Sequence, residues 1–318
     1  MTSLLVFKEY IKKFYGKNEV FITPLLKLIL AGVSLMMINS KLGYMQKIDN
    51  LAVVLIVALM CSFLPMGFIL LFAAMFILLH FYALALEVAV VALALFMIMF
   101  LMYFRFTPKD SLLVVLTPIC FALKIPYVMP ITAGLICTPA SVISIGCGVV
   151  IYYLVSYVNV NATALNAMET GEITARFRMV IDSIMGNKAM LVTVVAFAIT
   201  VIVVYAIKRM SIDYSWTIAM IAGAITGIVI LLMGDLLYDT NISILGVMFG
   251  SLISVLIAKA LQFFVLNLDY TRTEKVQFED DEYYYYVKAV PKITVSTPTK
   301  TVKRINAAGH TTTSQNRR

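Results

Sequence analysis

The chain has 318 residues, 62% hydrophobic and 13% charged, with a net charge of +8 and a mean hydropathy of +0.95. A soluble domain carries about a quarter charged residues, so this composition excludes a soluble globular protein. Long continuous apolar runs that do not alternate in ~10-residue units argue against a β-barrel, which leaves an all-α polytopic transmembrane helical bundle. The positive charge gathers at the N-terminus (Lys8, Lys12, Lys13, Lys17) and in the tail after Asn267. That is a positive-inside pattern and not a nucleic-acid footprint, so the expected partner is the lipid bilayer.

In chain order, residues 1–19 form a cytoplasmic amphipathic segment. Leu4, Leu5, Phe7, Ile11, Phe14 and Tyr15 recur at helical spacing with lysines on the other side, which predicts a helix on the inner leaflet or packed on the bundle. About twenty polar and basic residues precede the first apolar run and no small-x-small site follows it, so residues 20–39 are expected to stay as an anchor helix. Lys27 inside it needs a partner or a route to snorkel.

After a short loop at 40–49, residues 50–104 hold Glu87 as their only carboxylate and carry no lysine or arginine. One crossing takes about 20 residues, so this block folds back on itself. Leu64-Pro65-Met66-Gly67 predicts the first turn and His80-Phe81-Tyr82 the second, giving crossings near 50–64, 67–82 and 84–104. Arg105 and Lys109 mark a cytoplasmic loop. Glu87 reads either as a proton-coupling residue within the membrane or as an acid at the outer end of its helix.

The first bundle, 20–158, contains the most unusual stretch, 111–139. Pro118, Pro126, Pro130 and Pro139, four of the nine prolines, fall within it. Proline lacks an N–H, clashes with the carbonyl four residues back and pushes its predecessor out of the α region. The stretch therefore predicts half-helices at 111–117, 118–125 and 130–138, with extended joints near Ile125-Pro126 and Thr138-Pro139. Parity requires 111–158 to cross an odd number of times. Residues 139–158 cross once, so 111–137 either enters and returns as a re-entrant segment or crosses twice in short pieces, for 8 or 10 crossings in all.

Broken helices at membrane depth are tolerated where protein buries them or where they line a wet cavity, and transporters place their sites there. Thr117, Thr132, Thr138, Ser141 and Ser144 supply hydroxyls, Lys124 a cation, and Gly134, Gly146 and Gly148 close approach. Thr117, Lys124, Thr132, Gly134, Thr138 and Ser141 are thus the candidate substrate-binding residues. A purely architectural hairpin explains the same pattern.

Residues 159–187 form an extracytoplasmic linker. Ile173, Phe177, Val180, Ile181 and Ile184 predict an interfacial helix in it. The three-helix unit 188–268 follows, with crossings at 189–207, 214–234 and 242–266. Lys208 and Arg209 place its first loop inside, Asp235 and Asp239 its second outside, and Lys259 snorkels inward. Gly223/Gly227 and Gly246/Gly250 are GxxxG motifs that pack helices closely or support an oligomer.

The tail, 269–318, is cytoplasmic. An acidic cluster (Glu279, Asp280, Asp281, Glu282) precedes Tyr283–Tyr286, and strand propensity here predicts a short strand or hairpin. From about Ser296 the composition reads as disordered, and the basic residues after Glu282 suit inner-leaflet lipid, an acidic protein partner or plain solvation. The stretch FEDDEYYYYVKAVPKI, with the apolar block before it, resembles the end of a group of uncharacterised multi-spanning membrane proteins from anaerobic Gram-positive bacteria. The similarity extends through the last three crossings and implies no activity.

Cys61, Cys120, Cys137 and Cys147 lie in apolar stretches without a CxxC, and His80 and His310 are far apart. No metal or cofactor spacing, nucleophile motif or phosphate loop is present, so no enzyme activity is expected. Two functions fit a multi-pass protein of the plasma membrane with both termini cytoplasmic. One is a permease-like carrier of a small solute or ion through 111–148. The other is a membrane scaffold or envelope assembly factor acting through its tail.

Overall fold

A computed structural model describes residues 2–167, 173–210, 212, 214–240, 243–265, 274–279 and 284–289. The chain divides into two compact units, residues 18–265 and residues 1–17 with 266–318. In the second of these a two-stranded antiparallel hairpin pairs β1 (Glu274–Glu279) with β2 (Tyr284–Ala289), Val276 opposite Val287. The tail's strand propensity is thereby expressed. The Asp280–Tyr283 cluster and everything after Ala289 lie outside the described residues.

Residues 18–265 form a helical bundle. Among the described residues, seven stretches, the first beginning at Val6, are long and apolar enough to cross a membrane by length and composition. Their outer faces carry rows of exposed large apolar side chains, such as Leu93, Met97 and Leu101 or Ile225, Val229 and Met233. Water does not tolerate so much contiguous apolar surface, and lipid does. The protein is a multi-pass helical membrane protein.

Helix α1 (Thr2–Leu42) is longer than the separate amphipathic helix and anchor expected, running through Gly16; the division survives as a kink at Asn18. α2 (Leu51–Phe63) returns antiparallel to it. Ala58 faces Gly32, the Ser62 hydroxyl donates to the Pro24 carbonyl at 2.8 Å, and Lys27 Nζ donates to the Leu64 carbonyl at 3.0 Å. Lys27 thus finds its partner in a carbonyl freed at the end of α2. The turn at Leu64–Met66 stands where Pro65 and Gly67 place it.

The next turn does not. α3 (Gly67–Leu84) runs through His80-Phe81-Tyr82, and the break comes at Ala85, extended at φ −159°, ψ 135°. His80 does not need the interface because protein satisfies both ring nitrogens. The Met45 N–H donates to Nδ1 at 3.1 Å, and Nε2 lies 3.0 Å from Asn39 Oδ1. A neutral ring protonated on Nε2 meets both partners.

α4 (Leu86–Phe106) packs on α3. α5 (Ser111–Ala122) and α6 (Val128–Ile136) then form a hairpin of two helices, neither long enough to span ~30 Å of hydrocarbon. α5 lies parallel to α7 (Ser141–Val160), as two contacts show, Thr117 with Gly148 and Phe121 with Tyr152, and Thr107, before α5, meets Ser144 near the start of α7. α6 returns to the same end of the bundle, where its Leu135 carbonyl accepts from Lys208 at 2.6 Å. The turn between α5 and α6, level with Tyr152, stops about 12 Å short of the far end of α7 at 1.5 Å per residue.

The half-helix expectation needs correction at two prolines. Pro118 lies inside an unbroken α5 and Pro130 in the first turn of α6, where the missing N–H costs nothing. The joint near Pro126 is real, and it is a Schellman-type helix end. The Lys124 N–H donates to the Phe121 carbonyl and the Ile125 N–H to the Cys120 carbonyl, with Lys124 left-handed at φ 61°.

The polar connection folds into α8 (Ala162–Ala167) and α9 (Ile173–Met185). Val180 is fully buried while Ile181 is exposed, so the apolar face is narrower than predicted. The side chain of Ile173 lies outside the described residues. α9 packs on α4 and α7.

α10 (Lys188–Lys208), capped by the Asn187 side chain, is central and packs on α6, α7 and α11. α11 (Ser215–Tyr238) runs antiparallel to it and α12 (Ile244–Val265) packs on α11 and α6. Van der Waals packing and internal hydrogen bonds hold such helices in lipid. A Cβ on Gly148 would lie 2.5 Å from Thr117 Cβ, and one on Gly250 2.6 Å from Tyr127. Gly223 and Gly227 face Val204 and Thr200 of α10. At Gly223, Gly227 and Gly250, the expected GxxxG motifs therefore pack helices within this chain.

Candidate functional site

Buried hydroxyls in the bundle mostly turn back on their own helix. Thr117 donates to the Leu113 carbonyl at 2.6 Å and Thr132 to the Val128 carbonyl at 2.8 Å, which removes their cost in an apolar setting. Gly134 lies against Val201 and Val204, and Ser141 is fully buried with no hydrogen-bond partner for its hydroxyl among the described residues. Thr138 and Lys124 are exposed. Glu87 is buried in the first turn of α4, where an acid complements the helix dipole. None of these seven residues lines the cavity that opens beside α1.

Their neighbours line it: this cavity of about 280 Å³ lies between the second half of α1 and helices α3, α4, α5 and α7. Its origin is the way α1 is held. One end is pinned to α2 through Pro24 and Lys27. At the other, Asn39 Nδ2 donates to the Ile48 carbonyl at 2.8 Å and Asn159 Nδ2 to the Lys41 carbonyl at 2.6 Å. Between these ties the face carrying Ser34 and Lys41 looks across the cavity toward α5 and α7.

The interior is apolar: Ala74 and Ile77 of α3, Met99 of α4, Pro118 and Ala122 of α5, Cys147 and Ile151 of α7. Its deep hydroxyls are already engaged. Ser34 donates to the Leu30 carbonyl at 2.6 Å and Tyr103 to the Pro108 carbonyl at 2.8 Å. Pro118 has no N–H to offer the Val114 carbonyl, and both residues border the cavity. The proline segment thus contributes a wall through its α1-facing side, and not through the threonines singled out from the sequence.

Polarity rises toward one end. Tyr152, Ser156 and Asn159 follow at i, i+4 and i+7 on the last turns of α7, and Lys41 stands in the last turn of α1. No carboxylate is among the lining residues. The stripe at 152, 156 and 159 was readable as helical spacing, but it sits where the apolar run gives way to the polar linker. Lys41 reads in sequence as an ordinary loop lysine. Cys147 is buried at the deep end; Cys61 and Cys120 are buried away from the cavity, and Cys137 is half-buried.

Among the described residues no three His, Cys, Asp or Glu side chains come together as metal ligands. What the arrangement can do is hold an elongated apolar body under a polar, cationic rim. No family model, no curated protein and no solved structure matches the chain.

Proposed function

We propose that this multi-pass membrane protein is a non-enzymatic carrier whose solute is hydrophobic or amphiphilic, held in the cavity between α1 and α3, α4, α5 and α7. The observation that carries this reading is the cavity itself: about 280 Å³, apolar in depth and polar at one end. Pockets of this kind, with a few polar groups fixing orientation, are the usual form of a small-molecule site. The packing of Thr117 on Gly148, and the internal hydrogen bonds of Thr117 and Thr132, favour this route over a polar path among the hydroxyls of 111–148. On this reading the α5–α6 hairpin is a re-entrant segment that walls the cavity. The lysine and arginine distribution supports, on this reading, cytoplasmic termini in a plasma membrane, with the Lys41 end of the cavity facing outward.

A scaffold acting through the tail is the second reading. The pairing of Glu274–Glu279 with Tyr284–Ala289 in the tail favours it.

The test is photo-cross-linking in proteoliposomes with an alkyl diazirine fatty acid, mapped by peptide mass spectrometry. The carrier reading expects labels on α5 and α7 around Ala122 and Ile151, lost in Ala74→Trp. Labels confined to the outward apolar rows of α4, α11 and α12, unchanged by Ala74→Trp, would leave the scaffold.

A further inference from the structure

We infer that the occupant of this cavity is an anionic amphiphile, its head held at Lys41 and its chain laid along α7 toward Cys147; this rests on the carrier reading and specifies its substrate class. Two helices give the same polarity gradient. Along α7 the lining passes from Cys147 and Ile151 to Ser156 and Asn159, and along α1 from Met37 and Ile38 to Lys41. From Cys147 to Val160 the helical rise is about 20 Å, the reach of a chain and not of a compact solute.

Among the residues that line the cavity, charge has one sign. Lys41 lines the cavity, no Asp or Glu does, and the hydroxyls deeper in are bonded to protein carbonyls. An anion can meet a cation and hydroxyls at the rim, and nothing inside competes for it. The rim is also preorganised, because Asn159 fixes the Lys41 backbone at 2.6 Å and so sets where the ammonium starts from. A neutral head would leave the lysine unused, and a cationic head would be repelled.

The experiment uses the full chain in nanodiscs of zwitterionic phosphatidylcholine, with three radiolabelled oleoyl probes: lysophosphatidylglycerol, oleate and monooleoylglycerol. Wild-type protein is expected to bind at least one anionic probe about tenfold tighter than the neutral one, the scale of a charge-assisted hydrogen bond. Lys41→Gln should erase that preference, Lys41→Arg should keep it, and Ala74→Trp should abolish binding of all three. Preference for lysophosphatidylglycerol alone assigns a phosphate head, and preference for oleate alone a carboxylate. Equal binding of all three probes, untouched by Lys41→Gln, would overturn the inference and leave the carrier reading standing. Saturable binding of none would overturn both.

Discussion

The side-chain amide of Asn159, on the last turn of α7, donates to the backbone carbonyl of Lys41, on the last turn of α1, at 2.6 Å. It closes the rim of the cavity across two helices that the sequence separates by 118 positions. Asn159→Leu is predicted to change global stability by less than about 1 kcal/mol, because the bond is exposed and water replaces it. It should nonetheless speed release of a bound amphiphile several-fold, read as an off-rate by stopped flow.

Gly148 is the contact that seats α5 on α7. A Cβ there would meet Thr117 Cβ at 2.5 Å, a backbone-anchored atom that cannot swing away. Gly148→Ala should destabilise by about 1–3 kcal/mol through overpacking. Gly67→Ala, with nothing within 4 Å, should be neutral or slightly stabilising. Thermal unfolding in matched detergent compares the two.

Lys124 separates an architectural role from a binding role. It holds the left-handed position at the end of α5, where glycine is the least strained residue. Lys124→Gly should keep stability or raise it by up to about 1 kcal/mol and leave amphiphile binding intact, while a β-branched Lys124→Ile should lower stability. Loss of binding in Lys124→Gly would return the site to the α5–α6 turn.

His80 joins three segments through Asn39 and Met45, and Asn39 in turn holds Ile48. His80→Leu leaves the Met45 N–H and the Asn39 amide without these partners, so a loss of about 1–3 kcal/mol is expected. Hydrogen exchange should show faster opening of residues 43–50 than of α10.

The loop between α4 and α5 supplies a pH signature. Burial raises the Asp110 carboxyl above its ordinary value, so the fold favours its protonated form. That contribution is fully present below the usual carboxylate range and is lost as pH rises through the raised value. Asp110 stands at the N-cap of α5 without a side-chain cap bond, so Asn there loses none. Asp110→Asn should therefore gain thermal stability relative to wild type as pH rises into the neutral range, and the gap should close in acid.

Much of this architecture was legible in the chain. Hydropathy located the spans, Pro65 and Gly67 marked their turn, and Tyr and Val around 284–287 announced a strand. What escaped had no local signal. Nothing at Ala85 distinguishes it from other alanines, and His80 looked interfacial because its partners, Asn39 and Met45, are 41 and 35 residues away. Pro118 read as a break, yet a proline in a helix packed on α3, α6 and α7 can be carried through. The cavity was the least legible feature. Five helices must be placed before Lys41, Tyr152, Ser156 and Asn159 share a rim, and the conspicuous hydroxyls of the proline segment drew attention to its other face.

The central claim, that this cavity takes up an amphiphile, is most directly tested at Cys147. In a variant keeping Cys147 with the other three cysteines changed to alanine, the rate of modification by N-dodecylmaleimide is measured in phosphatidylcholine nanodiscs. The account predicts saturable labelling that slows when lysophosphatidylglycerol is added and when Ala74→Trp fills the space. A thiol that stays unmodified until the protein is unfolded, or that reacts at a rate neither treatment changes, would contradict it.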